Sequence, residues 1–145
     1  MPEGKLKRER KDRYIEKLEK ITERTENIEE WLEGGVAPLL KNTERRLATY
    51  KAFQEVAEAI TDICAMFVAD NGMVVSDDYE NIDKASGKLF SDEIRGKIGA
   101  ANGLRNRIIH EYNRFEDERA LDSLENLLKP IRKFKEEARK WIDKQ

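Results

Sequence analysis

Between Leu6 and Leu32 the apolar positions Tyr14, Leu18, Ile21, Ile28 and Leu32 keep to one helical stripe, with Thr25 filling the remaining seam position among charged neighbours. This spacing predicts one long first helix, stopped by Gly34-Gly35 and Pro38. Asn42 or Thr43 can cap the next helix, whose stripe runs through Phe53, Val56, Ile60, Ile63 and Phe67 until Asn71-Gly72 ends it. Met73 to Leu89 mixes turn and helix signals, with Ser76 as a candidate cap and a short helix around Asp78 to Ala85. Ser91 then caps a helix from Asp92 to about Tyr112, whose first turn carries Asp92 and Glu93 where the macrodipole favours acid. From near Asp117 a last stripe passes through Leu121, Leu124, Leu127 or Leu128, Ile131, Phe134, Ala138 and Trp141, with Pro130 expected to kink it. The expectation is one all-α domain over residues 1–145, an antiparallel bundle of four main helices plus a short connecting helix.

Composition agrees with the periodicity. The 145 residues suffice for one core, and 40% charged against 39% hydrophobic residues with sparse Gly and Pro favour long solvated helices over sheet. A net charge of −2 supplies no global field for nucleic acid, so any RNA contact has to come from a local cluster. The single cysteine, Cys64, lies among Ile60, Ile63, Phe67 and Val68, which reads as a small buried apolar side chain in a reducing cytoplasm. Met1 to Arg13 is highly charged and no run of about 18 apolar residues occurs, so neither a signal peptide nor a membrane span is expected. There is no Cys/His cluster to suggest a metal site, and no cofactor is implied.

The candidate chemistry lies on the fourth helix, the penultimate long one. Ile94, Ile98, Ala101, Arg105, Ile108 and Tyr112 follow spacings of four, three, four, three and four, a packing seam with an arginine in it. On a wheel of about 100° per residue, Leu104, Ile108, Ile109 and Tyr112 flank Arg105, so its guanidinium needs a carboxylate, a backbone acceptor or an anionic ligand. A second face holds Gly99, Gly103, Asn106 and His110. Each glycine inside a helix costs roughly 1 kcal/mol relative to alanine, which asks for a close approach by another helix or by a phosphodiester backbone. Asn106 stands one turn before His110, the only histidine, and could orient the imidazole or share a substrate with it. Blander roles fit the same residues: a C-cap or exposed histidine, and an arginine that serves an internal ion pair.

The stretch Gly103-Leu104-Arg105-Asn106-Arg107-Ile108-Ile109-His110-Glu111-Tyr112 resembles the R-x4-H-x-Y signature of the HepT branch of the HEPN superfamily. Glu58-Ala59-Ile60-Thr61-Asp62-Ile63 resembles the E-x3-D-[IV] segment of that family's second helix. The likeness runs from about Arg46 onward and is weak over the first helix. It implies a HEPN-like helical homodimer that cleaves RNA without a metal where two motif helices meet. Arg105 would hold the phosphate, Asn106 would orient His110 or the phosphate, and Tyr112 would hydrogen-bond within the site. His110 could take the 2′-hydroxyl proton or protonate the leaving 5′-oxygen, leaving a 2′,3′-cyclic phosphate. Glu58 and Asp62 point away from their helix's apolar stripe, which favours solvated charges over a supporting role; Arg107 and Arg114 could add local phosphate attraction.

The resemblance further implies the toxin of a type VII toxin–antitoxin pair, whose partner is an MNT-type nucleotidyltransferase that neutralises it by adding AMP to Tyr112 or by capping it. A different class also accommodates these residues: a non-catalytic helical module that binds RNA, a nucleotide or a protein through the same groove.

Overall fold

The computed structural model describes residues 6–110 and 116–145, all of whose regular elements are helical. Helix α1 (Arg8–Trp31) buries Tyr14, Leu18, Ile21, Thr25 and Ile28, the stripe expected of it. The one-turn helix α2 (Ala37–Leu40) was not expected; Pro38 opens it rather than merely stopping α1, because a proline in a first turn gives up an N–H that has no intrahelical acceptor. Helix α3 (Thr43–Asp70) starts at Asn42, whose side chain accepts from Arg45 N–H at 3.0 Å, and ends at Asn71, after which Gly72 takes a φ of +72°. It is buried on nearly every side, from Phe53 through Ile60 to Phe67, and Cys64 sits within it fully buried and unpaired.

Two expected caps fall differently. Asp77, not Ser76, caps α4 (Asp78–Ala85) by accepting from Glu80 N–H at 2.9 Å, because Asp77 and Glu80 hold the Ncap and N3 positions. Ser76 instead pairs its backbone with the Asn81 side chain at 2.9 and 3.1 Å. Ser91 makes no side-chain cap: its N–H donates to Glu137 of the last helix at 2.9 Å, and a 3-10 turn (Asp92–Ile94) intervenes before α5 (Arg95–His110). Helix α6 (Asp117–Asp143) runs through Pro130 as one element.

Helix α1 packs on α3, α3 on α5, α5 on α6 and α6 back on α1, which closes a ring around one core, while α4 lies against α3 and α5. Two carboxylates tie the ends of this ring. Asp70 at the end of α3 accepts from Arg10 Nε at 2.9 Å and from the buried Tyr14 hydroxyl at 2.6 Å, and Trp141 of α6 stacks edge-on against Tyr14 and Phe67. Asp117, the first residue of α6, accepts from the Tyr50 hydroxyl. Arg46 Nε lies 3.3 Å from the same carboxylate, an ion pair whose N–H does not point along a hydrogen bond, and Arg46 Nη1 donates to the carbonyls of Leu39 and Leu40. Through these contacts α2, α3 and α6 meet at one point. Among the described residues no helix is long and apolar enough to cross a membrane.

Candidate functional site

Arg105 leaves the buried side of α5 between Leu104 and Ile108 and is itself half-buried. Its guanidinium finds the compensation that the seam position demanded. Nη1 donates to the side-chain Oδ1 of Asn106 at 3.0 Å, and Nη2 faces Glu58 Oε2 of α3 at 3.6 Å, an ion pair at longer than hydrogen-bond range. Nε is buried and has no partner. Glu58 therefore belongs beside the motif arginine despite pointing away from its own helix's stripe. Asp62, one turn further along α3, pairs instead with Lys17 of α1 at 2.9 Å.

Asn106 is half-buried, and its carbonyl is engaged with Arg105 rather than with His110. His110 is exposed at the last described residue of α5, and Arg107 is exposed one turn before it. Tyr112 and Arg114 lie outside the described residues. On the glycine face, a side chain at Gly99 would meet no atom within 4 Å, whereas one at Gly103 would stand 3.3 Å from the Tyr79 hydroxyl of α4. Gly103 thus accommodates Tyr79, and Gly99 opens onto free surface. Tyr79 is itself exposed, as are Val74 and Val75 in the connection before α4.

Glu58 also lines an open groove of about 450 Å³ between α1 and α3, together with Arg13, Lys17, Lys20, Glu55 and Asp62. Lys20 and Arg24 pair with Glu55 at 3.6 and 2.7 Å, so the basic stripe of α1 is largely neutralised by α3. One residue near the motif was missed by the sequence reading. Asn102, one turn before Arg105, is 1% exposed, and neither its Oδ1 nor its Nδ2 has a partner. An unsatisfied buried polar group costs about 1–3 kcal/mol, so this amide is anomalous in a core. The available signal was an asparagine between Ile98 and Arg105 on the inward side of the wheel. Among the described residues no group of three or more His, Cys, Asp or Glu side chains is placed to hold a metal ion.

A closed helical ring thus carries Arg105, Asn106 and His110 on one helix, with Glu58 of α3 beside Arg105 and His110 exposed at that helix's end. A family profile described as Ribonuclease HepT-like matches residues 12–138, and the chain belongs to that family. The match includes most of α1, so the kinship extends further toward the amino terminus than the motifs alone indicated. Two proteins of Archaeoglobus fulgidus, both provisionally named RNases, are 34% identical over 86% of this chain and 89% of their own length, and 35% identical over 81% and 87%. A solved structure, the tri-AMPylated HEPN toxin of Shewanella oneidensis in complex with an MNT antitoxin, superposes with a TM-score of 0.80 over 88% of this chain and 97% of that one. At 15% identity that likeness shows a shared fold.

Proposed function

We propose that this protein is a metal-independent endoribonuclease, a single-domain HepT-like toxin whose site comprises Arg105, Asn106 and His110 and is bordered by Tyr112. The observation that carries the reading is the bracing of Arg105. Its Nη groups are held at the site by weak, exchangeable partners, Asn106 at 3.0 Å and the partly exposed Glu58 at 3.6 Å, which an RNA phosphate can replace with a charge-assisted bidentate pair. The exposed His110 at the end of the same helix is then free to meet substrate.

In this mechanism the imidazole of one subunit removes the 2′-hydroxyl proton, and the oxygen attacks the adjacent phosphorus. The bond to the 5′-oxygen breaks as that oxygen takes a proton from the other subunit's imidazole. Arg105 offsets the charge that grows on the non-bridging oxygens. The products are a 2′,3′-cyclic phosphate and a 5′-hydroxyl. The open surface at Gly99 supports packing of two α5 helices in a homodimer. Arg107 and Arg114 would add attraction for the RNA backbone, and Asp62, engaged with Lys17, would act only in support.

The partner proposed is an MNT-type nucleotidyltransferase, in a type VII toxin–antitoxin pair, by analogy with the toxin–antitoxin complex whose fold this chain shares. AMP added to Tyr112 would set negative charge against the phosphate that Arg105 must bind. The deciding experiment is His110→Ala on single-stranded RNA. A loss of cleavage by about 10²-fold or more with RNA binding retained supports the enzyme. Wild-type protein that binds RNA yet never cuts it would make the chain a non-catalytic binding module. Mass spectrometry of the co-expressed pair tests the partner, and an adduct absent from Tyr112 would leave steric capping as the better account.

A further inference from the structure

The guanidinium of Arg105 has donors on three nitrogens, and the structure treats them unequally. Nη1 and Nη2 face Asn106 and Glu58, while Nε–H is buried without an acceptor. One turn earlier on α5, Asn102 is buried with both ends of its amide unpartnered, the one side chain among the described residues with two such atoms. A comparison within the molecule sharpens the anomaly. Asn81 is equally buried, yet its Oδ1 accepts from Ser76 N–H and its Nδ2 donates to Ser76 O. A buried asparagine in this fold can be fully satisfied; Asn102 is not.

Residues three apart on a helix are neighbours, with Cβ atoms about 5–6 Å from each other. A donor without an acceptor and an acceptor without a donor therefore lie one turn apart on the same helix, with no direct hydrogen bond joining them. We propose that Asn102 is a positioning residue for Arg105: its Oδ1 accepts from Arg105 Nε–H, directly or through one bound water, and fixes the plane of the guanidinium. The inference rests on the ribonuclease reading for its purpose. Because Nε is buried, a phosphate can meet this guanidinium only end-on, through Nη1 and Nη2. Substrate binding then displaces Asn106 and Glu58, the two contacts that hold the group in the free protein. Nε–H is the remaining donor through which the protein can keep the fork aligned, and Asn102 is a buried, unpartnered acceptor one turn away.

The test uses the full chain as wild type, Asn102→Leu and Asn102→Asp, with Asn102→Ala in place of leucine if the larger side chain does not pack. Solvent exchange of the Arg105 Nε–H is followed by NMR in the free protein and with a mixed-sequence 2′-O-methyl oligonucleotide. Cleavage kinetics are measured on the unmodified oligonucleotide. Expected for Asn102→Leu are Nε–H exchange about tenfold faster and, at equal folded fraction, kcat about tenfold lower with little change in KM. Asn102→Asp should restore slow exchange. Equal Nε–H exchange in wild-type and Asn102→Leu free protein overturns the proposal, as does an unchanged kcat. A wild type that does not cleave RNA would sink the ribonuclease reading, while the exchange comparison in free protein would still decide the contact.

Discussion

Asp70 and Glu58 are carboxylates of the same helix, and each meets an arginine, yet the two pairs are built to opposite ends. Asp70 accepts from Arg10 at 2.9 Å and from Tyr14 at 2.6 Å, and its side chain is 17% exposed; Glu58 stands 3.6 Å from Arg105 and is 40% exposed. Asp117 shares the tyrosine contact of Asp70 but not its closure: it accepts from Tyr50, is 37% exposed, and stands 3.3 Å from an Arg46 Nε that makes no hydrogen bond to it. In both clusters a tyrosine hydroxyl takes a lone pair of the carboxylate, which joins separate helices. Around Arg105 no tyrosine among the described residues is so engaged, the carboxylate is loosely held, and the buried Asn102 amide lacks partners. The two tyrosine clusters hold the ring together. The open one leaves its arginine available to an anion, the expected signature of a site rather than of a brace.

The largest contrast should appear in activity. Arg105→Lys is expected to lower kcat/KM on RNA by about 10²-fold, nearly as much as Arg105→Ala, because lysine keeps the charge and loses the fork. Wild-type kinetics in Arg105→Lys would mean that the residue acts as a point charge and that end-on binding is wrong. The converse change at the closed cluster, Asp70→Ala, should cost about 2 kcal/mol in urea unfolding by stranding the buried Tyr14 hydroxyl, with cleavage by the folded protein unaltered. Loss of cleavage at equal folded fraction would join the two regions functionally and dissolve the contrast.

A pH dependence sharpens the same difference. Burial, then the hydrogen bond to Asp70, holds the Tyr14 phenol protonated well above its usual pKa of 10.0. Burial, then the nearby charge of Asp78, raises the Cys64 thiol above its usual 9.0. The unfolded chain releases these protons first, so stability is intact below about pH 9 and falls as pH rises beyond it. Tyr14→Phe should flatten the part of the fall above about pH 10, read from urea midpoints at rising pH; an unchanged slope would mean that Tyr14 does not resist ionisation. The smallest effect is expected at the open pair. Glu58→Gln should alter stability by no more than about 0.5 kcal/mol, since a partly exposed ion pair is worth little, and should leave the KM for RNA at or below the wild-type value. A KM several times higher would place Glu58 among the groups that bind substrate.

The long helices were legible in the sequence because each carries its own amphipathic stripe, and α3 carries its own stop signals as well, Asn42 before it and Asn71-Gly72 after it. The start of α5 was not, since a 3-10 turn precedes it, and the end expected for it near Tyr112 lies outside the described residues. Short elements were less legible. One turn over Ala37–Leu40 has no periodicity to read, and the choice between Ser76 and Asp77 as cap turned on a single residue of register. The residues of the R-x4-H-x-Y pattern were equally visible, since they lie within one helix at fixed spacing.

What the sequence by itself determined is therefore local: which segments are helical, which face of each is apolar, and that α5 carries Arg105, Asn106 and His110 within two turns. The family follows from the same linear pattern. Tertiary structure decided which charges meet. Glu58 and Asp62 occupy the same kind of position one turn apart on α3, and only the packing of α5 on one side and α1 on the other sends Glu58 to Arg105 and Asp62 to Lys17. It also decided that Asn102 is stranded while Asn81 is satisfied, because a side-chain amide finds its partners on whatever backbone the fold brings to it. Periodicity assigns a residue to a face of its helix, but hydrogen-bond partners across helices depend on rotations and offsets of a few ångströms that no spacing within one segment encodes.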